Sequence, residues 1–108
     1  MGRGLKRGEI WLAEVGNKRR PVLVLTRSEV LEVRALVTVA EITTSARGLS
    51  VEVVLDHESV GLERESVVNC DGLHTVAQAS LTRLVGKVAP PTMRQVCNAV
   101  ARALDCGP

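Results

Sequence analysis

The stretch Lys18-Arg19-Arg20-Pro21-Val22-Leu23-Val24-Leu25 places three adjacent cations at the start of an apolar run. Residues 22–25 predict a β-strand that is buried on both faces, because aliphatic residues follow one another without a polar interruption. Proline has no N–H to donate to a sheet, so Pro21 is expected at the first position of this strand or just before it. Arg20 is then held beside a rigid element, where its guanidinium can meet a phosphate in a repeatable geometry.

The segments on either side of this stretch also have the pattern of short strands. Residues 9–15 predict a first strand, and Gly16-Asn17 favours a turn that makes a hairpin with the apolar run. Residues 28–33 can form one helical turn with Ser28 as the N-cap. Further strands are predicted at 35–43, 51–55, 66–69, 73–76 and 84–88. Asp71-Gly72 is a tight-turn signal between two of them, and short strands at regular intervals predict a mainly β fold, a small barrel.

The spacing of apolar residues changes to that of a helix after Pro90-Pro91, and a C-terminal helix is predicted over residues 92–105. Thr92 and Gln95 fit a capping box, with Thr92 as the N-cap and Gln95 reaching back to it. The apolar residues of this helix recur at helical spacing, so that face should lie across the barrel. The residues of the face are Met93, Val96, Cys97, Val100 and Leu104.

Length and composition limit the classes of protein that the chain can be. Its 108 residues predict a single domain over residues 1–108, with residues 1–7 flexible. Trp11 is the one aromatic residue, which excludes stacking on aromatic side chains as the main route to nucleic acid. A formal net charge of +2 permits a polyanionic partner without requiring one.

Cysteine usage and hydropathy predict a cytoplasmic protein with no membrane partner. Cys70, Cys97 and Cys106 lie far apart and form no Cys-x-x-Cys pair, which is typical of reduced intracellular thiols. The basic N-terminus has no apolar run behind it and does not resemble a secretory signal. No segment approaches the roughly 20 apolar residues of a membrane span.

The sequence carries none of the familiar metal or cofactor motifs. His57 and His74 have no Cys or His neighbour at ligand spacing, and no EF-hand loop, P-loop or dinucleotide-binding glycine pattern occurs. A Gly-x-Ser-x-Gly nucleophile elbow is also absent. We therefore expect no metal and no cofactor.

Polar side chains at the ends of three predicted strands can converge on one rim: Arg20 enters one strand, Thr43 leaves another, and Asn69 and Asp71 leave a third. Arg20 could neutralise charge that builds up on a phosphate, and the Thr43 hydroxyl could donate to a non-bridging oxygen. If the bound polymer were RNA, its own 2′-OH could attack the adjacent phosphorus without a protein nucleophile or a metal. The alternative is that Arg20 is a solvated surface cation and Thr43 a hydroxyl satisfied locally.

Two further side chains each have a structural and a chemical interpretation. Cys70 lies in an alternating segment and is interpreted as a small buried hydrophobe rather than as a nucleophile. His74 follows Asp71-Gly72 and could shuttle a proton near neutral pH, or could simply face solvent after a turn.

Six blocks of the sequence together carry a resemblance to a known family. The blocks are Arg7-Gly8-Glu9-Ile10-Trp11, Arg20-Pro21-Val22-Leu23-Val24-Leu25, Val39-Ala40-Glu41-Ile42-Thr43-Thr44, Arg47-Gly48-Leu49, Leu62-Glu63-Arg64-Glu65-Ser66-Val67-Val68 and Leu81-Thr82-Arg83-Leu84-Val85-Gly86. In sequence and in order they resemble the MazF and PemK toxins. The resemblance implies an SH3-like barrel with a C-terminal helix, a homodimer, and a metal-independent endoribonuclease that cuts single-stranded RNA at short sequences. It also implies 2′,3′-cyclic phosphate and 5′-hydroxyl ends, and an antitoxin partner that blocks the groove.

Carried over position by position, the family's catalytic arginine falls on Arg20 and its catalytic threonine falls on Thr43. Asp71 matches an aspartate that is a candidate acid or base in some members, although the arginine that stands two residues earlier there is Asn69 here. The family's Asp-Gln-x-Arg-Thr block reads Asp71-Gly72-Leu73-His74-Thr75 in this chain, so its glutamine and arginine are absent. A substrate or dimer contact is expected to differ accordingly.

Glu41 stands where many members have Pro or Ala. Its carboxylate, two residues from Thr43, projects to the same face of a strand, where it could act as a base or pair with Arg20 or Arg19. The loop before Arg20 is shorter than in many members, which is expected to change which bases are read. The residues expected to hold flanking nucleotides are Lys18, Arg19, Thr44, Ser45 and Arg47.

Two non-enzymatic functions are compatible with the same fold. One is a CcdB-like toxin that binds DNA gyrase, but the chain ends Leu104-Asp105-Cys106-Gly107-Pro108 and lacks that family's C-terminal Trp-Gly-Ile. The other is an RNA-binding barrel without catalysis, which would retard RNA on a gel and create no new ends.

Overall fold

A computed structural model describes residues 4–15 and 17–106. The elements are β1 (Glu9–Val15), β2 (Lys18–Val24), α1 (Ser28–Leu31), β3 (Leu36–Thr43), β4 (Glu52–Leu55), β5 (Ser66–Ala77), a 3₁₀ turn (Gln78–Ser80), β6 (Leu81–Lys87) and α2 (Pro90–Ala103). Within the described residues, six strands form one antiparallel sheet in the order β4-β5-β3-β2-β1-β6. The predicted fold class, mainly β with a C-terminal helix, is confirmed. None of the helices in this part of the chain is long and apolar enough to cross a membrane.

The apolar run of β2 lies at the centre of the protein, as its sequence predicts. Val22, Leu23 and Val24 are each fully buried. Leu23 packs in the hydrophobic cluster that also contains α2 residues, and Val22 and Val24 pack in a second cluster with Leu31 of α1. Alternate residues of one strand therefore fill two cores, one on each face of the sheet.

Pro21 lies inside β2 rather than at its start, so its expected position is wrong. The strand begins at Lys18, and Pro21 is paired with Leu12 of β1. Pairing with β3 begins only at Val22. At Pro21 the strand has one neighbour instead of two, and a missing N–H is tolerated there.

The loop between β4 and β5 closes the sheet against its far edge, β6. A Cβ added to Gly86 would overlap the carbonyl group of Val60, and one added to Gly61 would lie 2.5 Å from the carbonyl oxygen of Val85. Gly61 also has φ +84°, which side chains disfavour. Glycine at both positions lets the two backbones touch, which is the closure expected of a small barrel.

The strand β5 runs through Asp71-Gly72, so the tight turn and the two short strands predicted there are wrong. Ala40 of β3 is paired with Leu73, whereas the next residue, Glu41, is paired with Asn69. Residues 70–72 are thus extra residues in the ladder, and they form a bulge. Bulges and tight turns favour the same small residues, which is why the sequence signal was ambiguous.

Both helices begin differently from the prediction. The helix α2 starts at Pro90 with Ala89 as its N-cap, two residues before Thr92, because proline fits the first position of a helix. The helix α1 has Arg27 as its N-cap. The Ser28 hydroxyl instead accepts a hydrogen bond from the backbone N–H of Arg7 at 3.0 Å.

The buried face of α2 is only partly the predicted one. Val96 is fully buried, but Cys97 and Leu104 are exposed, and Ala99 takes a buried position that was not predicted. The small side chain of Ala99 allows the helix to pack closely on the sheet. The sequence pattern overlooked it because alanine is only weakly hydrophobic.

The segment before β1 is anchored at Leu5, which is buried in the second cluster with Trp11. Of the segment predicted to be flexible, residues 1–3 lie outside the described residues. Leu5, which belongs to the same predicted segment, is part of the packed structure.

Candidate active site

The register of β2 on β3, extended beyond the last pair, brings Arg20 towards Thr43. Val22 of β2 is paired with Glu41 of β3, and the same register continued by two residues sets Arg20 across from Thr43. Residues two apart in a strand share a face, so Arg20, Glu41 and Thr43 lie on one side of the sheet. All three line a cleft of about 270 Å³.

The floor of this cleft is a row of polar side chains across three strands. Glu41 of β3 is paired with Asn69 of β5, and Asn69 is paired with Glu52 of β4. The residues that line the cleft are Arg20, Glu41, Thr43, Ser45, Arg47, Leu49, Glu52, Asn69 and Asp71. The structure therefore brings together seven of the residues singled out from the sequence: Arg20, Glu41, Thr43, Ser45, Arg47, Asn69 and Asp71.

The carboxylate of Glu41 lies between two basic side chains. Its Oε1 is 3.5 Å from Nη1 of Arg20, and its Oε2 contacts Nε2 of His74. Of the two roles considered for Glu41, pairing with Arg20 is the one present in the structure. The Arg20 side chain is still 37% exposed and lines the cleft, so it remains accessible to a ligand there.

The Thr43 hydroxyl accepts a hydrogen bond from the backbone N–H of Ser45 at 3.0 Å. This is the kind of local contact that the structural interpretation of Thr43 predicts. The bond uses an oxygen lone pair and leaves the hydroxyl proton available to a ligand, since a hydroxyl can accept and donate at once.

Glu52 is a residue of the cleft that sequence reasoning missed. Its two carboxylate oxygens accept the backbone N–H of Arg47 at 3.0 and 3.1 Å, and Oε1 accepts that of Leu49 at 3.2 Å. These bonds tie the loop of residues 44–50 to β4. A carboxylate just after a glycine-containing polar loop was the available signal, because acidic side chains often bond to nearby backbone N–H groups.

The bulge in β5 presents Asn69 and Asp71 to the cleft and buries Cys70 between them. The backbone N–H of Asp71 donates to Oδ1 of Asn69 at 3.1 Å, and the Asp71 side chain is exposed. Burial raises the pKa of the Cys70 thiol to about 11, so it stays protonated at neutral pH. Cys70 is thus the small buried residue that the sequence predicts.

Three of the predicted RNA-binding residues lie beside the cleft rather than in its lining. Lys18 and Arg19 are exposed at the start of β2, immediately before Arg20. Thr44 lines a neighbouring groove together with Pro21. Within residues 4–15 and 17–106, no group of three or more His, Cys, Asp or Glu side chains is arranged to hold a metal ion.

Residues 6–104 match the model of a family described as PemK-like, MazF-like toxins of type II toxin-antitoxin systems. The chain belongs to this family. The recognition made from the six sequence blocks is thereby confirmed, and this PemK/MazF-family chain matches the model over almost its whole length.

Individual relatives agree with the family assignment. The chain is 42% identical over 103 residues to "Probable endoribonuclease MazF5" of Mycobacterium tuberculosis, with 93% of each chain covered. The solved Mycobacterium tuberculosis toxin MazF-mt6 superposes with a TM-score of 0.86 at 38% identity, covering 92% of this chain and 98% of that one. A mycobacterial endoribonuclease solved with its cognate antitoxin has the same fold, with a TM-score of 0.84, 24% identity and 96% and 98% coverage.

Proposed function

We propose that the cleft between Arg20 and Thr43 is where this toxin-family endoribonuclease cuts single-stranded RNA, with the RNA's own 2′-OH as the nucleophile. The 2′-oxygen forms a bond to the adjacent phosphorus as the bond from phosphorus to the 5′-oxygen breaks. The 2′-OH gives up its proton, and the departing 5′-oxygen takes one up. The products are a 2′,3′-cyclic phosphate and a 5′-hydroxyl.

The observation that carries this proposal is the cleft shared by the partly exposed Arg20 side chain and the Thr43 hydroxyl, which keeps its proton for a ligand. Charge builds up on the non-bridging oxygens as phosphorus becomes five-coordinate. A guanidinium can meet two of those oxygens at once, and preorganised donors of this kind stabilise the transition state. Arg20 and Thr43 are assigned these two roles.

Glu41 is assigned a positioning role because its carboxylate already contacts Arg20 and His74. Such a contact restricts the rotamers of Arg20 and directs the unpaired part of its guanidinium into the cleft. The exposed Asp71 carboxylate is proposed as the group that exchanges protons with the RNA, since carboxylates can serve as general acids or bases.

Binding of flanking nucleotides is assigned to the polar side chains around the cleft. Ser45 and Arg47 line it, and their loop is fixed by Glu52. Lys18 and Arg19 extend the positive charge beyond Arg20, where phosphates of a longer RNA would lie. Thr44 is proposed to contact the RNA in the neighbouring groove that it lines with Pro21.

By analogy with the solved mycobacterial complex, we propose that a cognate antitoxin binds this chain and blocks access to the cleft. A homodimer is proposed as the working form, and the cytoplasm as its location, because cellular RNA is there.

The proposal predicts that cleavage does not need a metal ion. Purified protein incubated with single-stranded RNA in excess EDTA should produce new ends at the same positions and at a similar rate as with Mg²⁺, because Arg20 supplies the positive charge. A gel separates the fragments. Cutting that stops in EDTA and returns with Mg²⁺ would refute this mechanism, and RNA retarded on a native gel without new ends would favour the non-catalytic barrel.

Glu52→Ala is expected to raise the KM for RNA several-fold, with a smaller effect on kcat. The substitution removes the acceptor for the N–H groups of Arg47 and Leu49, so the loop that carries Ser45 and Arg47 loses its fixed position. Steady-state cleavage of a fluorogenic RNA measures both constants.

Glu52→Gln is the matched control, because it keeps one acceptor oxygen and should have a weaker effect than Glu52→Ala. Glu58→Ala, at an exposed loop position, should leave KM unchanged. Equal KM values for Glu52→Ala and the unmodified protein would show that the hydrogen bonds from the loop to Glu52 have no role in RNA binding.

A further inference from the structure

We infer that a second groove, which we call the rim groove, binds nucleotides on one side of the scissile bond of single-stranded RNA. The groove has a volume of about 590 Å³ and is formed mainly by Leu12, Pro21, Leu62, Arg64, Arg83 and Val85. The inference rests on the proposed function, because it extends the path of an RNA that is cut in the Arg20–Thr43 cleft.

The rim groove adjoins the cleft at two pairs of residues that are adjacent in the chain. Arg20 and Thr43 line the cleft, and their neighbours Pro21 and Thr44 line the groove. Adjacent side chains of a strand point to opposite faces of the sheet. The two depressions therefore lie on either side of one rim, and an extended chain that passes over this rim leaves one and enters the other.

Two arginines give the rim groove its affinity for phosphate. Arg64 comes from the loop before β5, and Arg83 comes from β6, where it is paired with Leu12. Among the described residues, the ion pairs are those of Glu41, so neither guanidinium is neutralised by a carboxylate. Glu63 also borders the groove, which leaves one more cation than anion there. Free guanidinium groups are well suited to bind phosphate oxygens.

The floor between the two arginines is apolar. Leu12, Pro21, Leu62 and Val85 provide aliphatic surface against which the faces of bases can pack. The sequence has no Phe or Tyr, so aliphatic surface beside cations takes the place of aromatic stacking. An alternation of charge and apolar surface matches the alternation of phosphate and base in single-stranded RNA.

The wall that carries Arg64 is fixed before any ligand binds. Gly61 lies against the backbone of Val85, and Gly86 lies against that of Val60. The Ser66 hydroxyl donates to the carbonyl oxygen of Arg64 at 2.9 Å. A groove held in this way has little backbone entropy to lose when RNA binds.

The test compares two RNAs that share the mapped cut site. One carries only the nucleotides at the cut, and the other is extended by several nucleotides on both sides. For the double variant Arg64→Ala with Arg83→Ala, we expect kcat/KM on the extended RNA to fall about tenfold and kcat/KM on the short RNA to stay unchanged. Losing two phosphate contacts should also reduce the slope of log(kcat/KM) against log salt by about 1.4.

The matched control is Arg27→Ala with Arg34→Ala, which removes the same charge from exposed positions around α1, away from the groove. This variant should cut both RNAs like the unmodified protein. An equal loss on both RNAs with the groove variant, or no loss on either, would overturn the inference. A change of the groove variant's oligomeric state in sedimentation would assign the groove to contacts between protein copies and would also overturn it.

A binding measurement separates failure of this inference from failure of the proposed function. The extended RNA with a 2′-deoxy sugar at the cut position, labelled with a fluorophore, should bind the groove variant about tenfold more weakly in an anisotropy titration. This result would support the rim groove even if the unmodified protein cut no RNA. Equal affinities of the groove variant and the unmodified protein would refute it.

Discussion

Arg20→Ala is expected to lower kcat for RNA cleavage by about 10²–10³-fold, the usual cost of removing one donor that stabilises a transition-state oxyanion. The side chain of Arg20 lines the same cleft as Thr43 and is partly exposed. The negative charge on the phosphate grows as the 2′-oxygen attacks, so losing Arg20 should affect kcat more than KM. Single-turnover cleavage with protein in excess measures the chemical step directly.

Two controls separate this loss from a folding defect. The melting temperature of Arg20→Ala should stay close to that of the unmodified protein, because its ion pair with Glu41 is partly exposed and such pairs contribute little stability. Arg19→Ala removes the same charge from an exposed position that does not line the cleft, so it can weaken RNA binding but should change the single-turnover rate at saturating protein only slightly. If Arg20→Ala cut RNA at the rate of Arg19→Ala, Arg20 would have no part in the chemical step.

Lysine at position 20 tests whether geometry or charge alone matters. Lysine keeps the positive charge but replaces the planar fork of donors with a single ammonium group. Arg20→Lys should therefore recover only a small part of the lost rate.

The central part of the fold was predictable because it depends on local patterns. The continuous run from Val22 to Val24 had to be buried on both faces, and a run of this kind with a short turn before it predicts the β1–β2 hairpin found in the structure. The six sequence blocks added the family, which the match over residues 6–104 confirmed. They also implied the fold class, which the structure confirmed. Both predictions rest on features that a single sequence displays directly.

The errors occurred where one local signal fits two structures. Asp71-Gly72 suits a tight turn and also suits the bulge that it forms, and only the pairing of β5 with both β3 and β4 decides between them. Thr92 resembles an N-cap, but the two prolines before it are also well suited to begin a helix. Long-range pairing, which a local pattern does not contain, fixed the outcome in β5.

The candidate site was predictable in part for a similar reason. Arg20 and Thr43 stand at the ends of evident strands, so their approach could be expected. For Glu52 a local signal indicated bonds to the preceding loop, but its place in the cleft depends on the register of β4 on β5, which the sequence does not display. The choice between the two roles of Glu41 also required coordinates, which place its carboxylate against Arg20 and His74.

A second large effect is expected from the substrate rather than from the protein. An RNA with a 2′-deoxy sugar on the 5′ side of the mapped cut lacks the proposed nucleophile, while the phosphate that Arg20 and Thr43 are proposed to contact is unchanged. Binding should therefore be nearly preserved, and cleavage at that bond should be lost. A 2′-deoxy sugar on the 3′ side of the cut is the matched control and should leave the cut in place.

The measurement that tests the mechanism most directly is the amount of product at this one bond, for the all-ribose RNA and its 5′-side 2′-deoxy counterpart, in the presence of EDTA. The mechanism predicts a 2′,3′-cyclic phosphate end from the first RNA and no product from the second. Comparable cutting of both RNAs would contradict it, because water or a protein side chain would then have to be the nucleophile.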